Sequence, residues 1–250
     1  MHNHAWTLGP ATSANGASRA FAGVAMIGRR LATLGQFDEH VILPTARWLV
    51  HKADRASWQI RIDQPQSLAI GLFIRDVAAV PSRHSWLPLA SPTVPRSGDQ
   101  APEAAGPQWD HWWDQALRHE GPAGDAAWPP DMSYWGTPPG FGSLAGAPEL
   151  QEIVSTHFFD GVRWSEDRRQ EHNATSKSSL GDLVETKLVR DMERALGRTA
   201  QPFSLWITEI PVEGQRFWQL RPDHLLVTAD LLRDTALYRQ RLAPVVEALF

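Results

Sequence analysis

Cysteine is absent from the 250 residues, tyrosine occurs twice, and lysine occurs only as Lys52, Lys177 and Lys187. Without cysteine there is no disulfide, no thiol nucleophile and no Cys-ligated zinc or iron–sulfur centre. Long apolar runs are missing too. The stretches 21–27 and 68–74 fall far short of the roughly 20 residues that a membrane helix needs, so no membrane partner is expected. The opening Met1-His2-Asn3-His4-Ala5-Trp6 is not a basic segment leading into an apolar one, so no signal peptide is expected and cytoplasmic residence is the default. An excess of positive charge is also lacking. The net charge of −4 divides into +3 over residues 1–80, −4 over 81–148 and −3 over 149–250. Nothing there resembles the concentrated basic footprint of a nucleic-acid binder. Of the 24 cationic residues 21 are arginine, which reads as bacterial, GC-rich codon usage before it reads as guanidinium chemistry.

What the chain does have is tryptophan, 12 of them. Six (Trp86, Trp109, Trp112, Trp113, Trp128 and Trp135) fall within residues 81–148, together with 12 of the 19 prolines and 8 of the 18 glycines. Such Pro/Gly density alone would argue for disorder. Disordered segments, however, are poor in aromatics because they have no core to bury them in. The segment is therefore expected to be a long, irregular but ordered excursion, and such excursions are uncommon unless they serve as lids or binding loops.

Around it the periodicities indicate one α+β domain over 1–250, with a mixed, largely antiparallel sheet packed by helices. Residues 1–17 read as a loose arm, 18–34 as an amphipathic helix, and 44–53 as a short helix begun by Pro44. Trp58, Ile60 and Ile62 alternate with polar residues as in a half-buried strand. A second strand over 68–77 is expected to pair with it as a hairpin through Gln64-Pro65-Gln66-Ser67. Helices are expected over 109–119, 149–159 and, capped by Ser178 or Ser179, 180–196, with 160–177 as an exposed connector. Strands over 203–212 and 216–220 are expected to pair, with 225–227 as a third, and Asp234 caps a last helix.

Few residue sets carry chemistry. Asp160 followed by Glu185-Thr186-Lys187 has the sparse spacing of restriction-type nucleases, but the triplet falls on an amphipathic helix and is read as a solvated face. His2 and His4, or His111 and His119 with Asp114 and Glu120, are too few for a metal centre, so neither a metal nor a cofactor is expected. Gly140-Phe141-Gly142-Ser143 is not a nucleophile elbow, and Gly136, Gly140, Gly142 and Gly146 do not have phosphate-loop spacing. Arg221-Pro222-Asp223-His224 reads as a turn into a strand.

The aromatic cluster remains. Trp109, Trp112 and Trp113 stand at i, i+3 and i+4 on one helix and can face one way. With Trp128 and Trp135 they are the candidate binding residues, because indoles bind sugars, planar rings and protein hot spots. Within that set Trp112 or Trp113 is expected to anchor the excursion, and Trp128 and Trp135 to remain partly exposed. The expected function is non-catalytic: an adaptor, assembly or binding protein whose excursion contacts a protein partner or an aromatic or sugar-like ligand. The rival is a hydrolase with the excursion as a lid, for which Asp114, His119 or Glu120 would have to converge with Asp160 or His224.

Overall fold

Alternation of Ile60 and Ile62 with Gln59, Arg61 and Asp63 sets one strand of the sheet, and the same two-residue period in Leu205 and Ile207 sets another. The computed structural model describes residues 47–50, 57–98, 100–121, 134–176 and 184–250. The expected arm over 1–17 and helix over 18–34 lie outside these residues. Five strands are present: β1 (Arg47–Val50), β2 (Gln59–Asp63), β3 (Ser204–Ile210), β4 (Phe217–Arg221) and β5 (His224–Thr228). Six helices accompany them among the described residues: α1 (Gln66–Val77), α2 (Ala105–His119), α3 (Pro148–Ser176), α4 (Val184–Leu196), α5 (Ala229–Arg233) and α6 (Thr235–Ala248). The described residues belong to one compact unit. No described helix is long and apolar enough to cross a membrane.

The sheet runs β1-β2-β3-β5-β4. Its outer pairs are antiparallel and its inner pairs, β2 with β3 and β3 with β5, are parallel. The class is therefore α+β with a mixed sheet, and both faces are covered. Ile60, Leu205, Ile207, Leu225 and Val227 point to one side, where they meet Leu188 and Val189 of α4 and Tyr238, Leu242 and Val246 of α6. Ile210 and Leu226 point to the other, under α1, α2 and α3.

Several expectations are corrected. Residues 68–77 are not a strand but the body of α1, and all ten are buried. A segment apolar on every side has no polar face to reveal its period, and twelve residues after Pro65 suit a helix better than a strand. The hairpin therefore does not exist, and β2 pairs with β1 and β3 instead. The expected helix over 44–53 contains strand β1. The expected pairing of 203–212 with 216–220 is replaced by β5, which lies between β3 and β4. The expected connector 160–177 continues helix α3 through Ser176. The Asp234 cap is present, its side chain accepting from Leu237 N at 3.0 Å. Glu185 is helical as expected, but it is buried rather than solvent-facing.

Candidate functional site

The helix α2 indoles form the inner wall of the excursion. Trp109 and Trp113 are 0% exposed and Trp112 is 7% exposed. Trp109 stacks on Trp113 with centroids 5.2 Å apart, and its Nε1 donates to Gly71 O of α1 at 3.0 Å. Trp112 stacks on Trp135 at 3.8 Å and donates to Tyr134 O at 3.1 Å. Trp135, expected to be partly exposed, is 1% exposed because Trp112 covers its face. Trp128 lies outside the described residues. In the described fold these four indoles are packing groups that staple the excursion to α1.

Gly71 is what permits the approach. A Cβ there would stand 2.4 Å from Trp112 Cζ3, inside any tolerable contact. Gly71→Ala is therefore expected to lower stability by about 1–3 kcal/mol through overpacking, although alanine is the better helix former. Urea unfolding measures it, and an unchanged midpoint would show that α1 and α2 do not meet there.

The exposed indole of the excursion among the described residues is Trp86, at 39%, with Leu89 close by in sequence at 54%. They belong to a strap that folds back over the end of α1. Beyond Val77 the chain turns through Ala79, whose φ of +48° is a left-handed conformation costly for a residue other than glycine. The buried Arg75–Asp76 pair, at 2.6 Å, ties the strap down: Arg75 Nη2 donates to Pro88 O at 2.7 Å and Ala90 N donates to Asp76 Oδ2 at 2.6 Å. Ser97 N and Ala101 N donate to Val77 O and Ala78 O, closing the loop on the helix terminus.

Asp110 of α2 anchors the strap's beginning. Its buried carboxylate accepts from Ser82 Oγ at 2.6 Å and from Arg83 N and Nε, each at 3.1 Å. Burial alone would raise this carboxyl. The hydrogen bonds from Ser82 and Arg83, with the neighbouring His84, outweigh it and hold the group below the usual carboxylate range. His84 stands with Nε2 3.2 Å from Asp114 Oδ1 and accepts from Trp86 Nε1 at 3.3 Å. Ser82 donates to the carboxylate and not to the imidazole, so this is a structural clamp and not a nucleophile with its base. Between strap and helix lies a cavity of about 380 Å³, lined by apolar Val80, Leu87, Leu89 and Val94 and by polar Arg75, Asp76, Ser85, Arg96 and Gln100. A larger depression of about 470 Å³ between α4 and α6 is apolar, and its acid Asp191 is already bound to Arg194 and Arg239.

A second polar cluster lies at the end of α2, near the carboxyl end of strand β2. Burial pushes the Glu120 carboxyl up to about 7; hydrogen bonds from Tyr134 and Ser67 and the charge of Arg61 oppose the rise, and Asp63 adds to it. The Tyr134 hydroxyl is raised by the same burial and by Glu120. Gly121 fits tightly next to it: a Cβ there would lie 2.1 Å from Arg221 Nη2 and 2.6 Å from His224 Nδ1. Burial, and after it Arg221, lowers the His224 ring to about 4 against the pull of Asp223, and its Nε2 is hydrogen-bonded to Thr208 Oγ1 at 2.9 Å.

Of the residues considered for convergence, His224 lies against Gly121, the residue that follows Glu120 in the chain. His119 ends the same helix, its ring centroid 5.9 Å from that of Tyr134. Asp114 turns to His84 instead, and Asp160 is exposed on α3, bonded to Arg163. Asp160 and Glu185 sit on helices covering opposite faces of the sheet, so the nuclease spacing is not assembled. No three His, Asp or Glu side chains group as a metal would require among the described residues. No family model, curated protein or solved structure matches the chain.

Proposed function

We propose that this is a binding protein that holds a small planar ligand in the cavity between the strap and the end of α1. The observation that carries the proposal is the cavity itself: about 380 Å³, with apolar Val80, Leu87, Leu89 and Val94 and polar Ser85, Arg96 and Gln100 in its lining, built by the end of α1 and the excursion's first residues. That volume falls in the range of small-molecule sites, and an apolar wall with a few convergent polar groups is their usual chemistry. The positive-φ Ala79 in its wall supports the proposal, since strained backbone gathers where a site is being shaped. An aromatic body suits the apolar side chains of Val80, Leu87 and Leu89, with His84 also in the lining.

The test uses two naphthalene probes, 2-naphthoate and 2-naphthamide, observed by saturation-transfer NMR. Thr93 lines the cavity and is exposed, so Thr93→Trp fills the cavity with little change in stability, within about 0.5 kcal/mol as for other surface positions. Binding of at least one probe to the native chain, lost in Thr93→Trp, is expected. If neither probe binds, or if the filled variant binds equally well, the cavity is not the site.

The Glu120–Tyr134 pair favours a second function, acid–base hydrolysis, because a carboxyl raised to about 7 beside a tyrosine hydroxyl can both give and take a proton at neutral pH. Hydrolysis of p-nitrophenyl esters with a pH profile inflecting near 7, abolished in Glu120→Gln, is its expected signature. A flat profile shared by both chains removes it.

A further inference from the structure

The charges lining the cavity do not cancel. Arg75 and Asp76 neutralise each other at 2.6 Å and spend their remaining hydrogen bonds on the strap's backbone. His84 is engaged by Asp114 and by Trp86. Arg96 lines the same cavity, is exposed, and has neither acidic partner nor hydrogen bond among the described residues. Ser85 and Gln100 add uncharged donors on the rim.

We propose that the ligand is anionic: a planar apolar body bearing a carboxylate, with Arg96 as the residue that receives the carboxylate and sets specificity. The inference rests on the binding function proposed above and adds the ligand's charge. A guanidinium offers two parallel N–H donors that match a carboxylate, which a neutral amide cannot match. The apolar wall takes the ring system, and the planar head group meets the rim. No bond is made or broken.

The experiment measures the affinities of 2-naphthoate and 2-naphthamide for the full chain by calorimetry, in native protein and in Arg96→Gln. Naphthoate is expected to bind about tenfold tighter than naphthamide, the equivalent of one charge-assisted contact at a partly exposed site. In Arg96→Gln the naphthoate affinity falls to that of the amide. Raising the salt concentration weakens naphthoate binding to the native chain and leaves naphthamide binding as it was, because only the former relies on charge. Equal affinity for the two probes, or a preference for naphthoate that persists in Arg96→Gln, overturns the anionic assignment while the cavity stands as a binding site. Failure of both probes to bind overturns the site itself.

Discussion

Asp76→Ala is expected to destabilise the protein by about 3–5 kcal/mol, the usual consequence of leaving one member of a buried ion pair without its counter-charge. Arg75 and Asp76 are both buried, and the carboxylate also receives Ala90 N at 2.6 Å. Removing it strands the guanidinium and unties the strap together. Arg75→Met is expected to cost a comparable amount, because it leaves the buried Asp76 carboxylate without its counter-charge and removes the Arg75 bond to Pro88 O. Urea unfolding of both variants measures the two losses. If Asp76→Ala unfolds within about 1 kcal/mol of the native chain, the pair does not hold the strap and the cavity has no rigid wall.

The second large effect is on pH dependence. Glu120 is raised from 4.5 to about 7, so the folded state takes up a proton that the unfolded chain releases. Its stabilising contribution is complete below pH 4.5 and is lost as pH rises through 7. His224 is lowered from 6.5 to about 4, so its contribution is complete above pH 6.5 and is lost as pH falls toward 4. Each displacement corresponds to roughly 3 kcal/mol, reduced to about 2 for Glu120 by its partial contact with solvent. The two slopes oppose each other over the same range, and the native chain should show little net change from either. Single substitutions expose them. Relative to native protein, Glu120→Gln is expected to gain stability at pH 8 and lose that advantage by pH 4.5, whereas His224→Gln gains at pH 4.5 and not at pH 8. Urea midpoints at pH 4.5, 6 and 8 decide it: variant curves parallel to the native one would mean that neither group is held in the buried cluster.

What the sequence showed was local. Strand β2, the core of β3 and the capped helix α6 each carry one apolar face and one polar face, and that contrast is what a period reads. Helix α1 has no such contrast, since every residue from Leu68 to Val77 is buried, and its alternating isoleucines and leucines looked like a strand. The order of the strands was out of reach for a different reason: β5 enters between β3 and β4 through contacts that no neighbouring residues announce. In the site, the tryptophan spacing on α2 correctly marked a shared face, but a shared face of three indoles is what a core wants, and α1 supplies Gly71 to receive it. The cavity was not legible because its walls are placed by a turn, by backbone carbonyls and by an ion pair between adjacent residues. Gly121 and His224, 103 positions apart in the chain, meet only through the fold.

Methyl-resolved carbon–proton NMR with 2-naphthoate titrated into the full chain tests the cavity most directly. The expected result is a set of saturating shifts on the methyls of Val80, Leu87, Leu89 and Val94, which wall the cavity, with those of Leu188, Met192 and Ala243 unmoved in the groove between α4 and α6. Shifts confined to that groove, or no saturable shift at the strap, would contradict a ligand site built by the tryptophan-rich excursion.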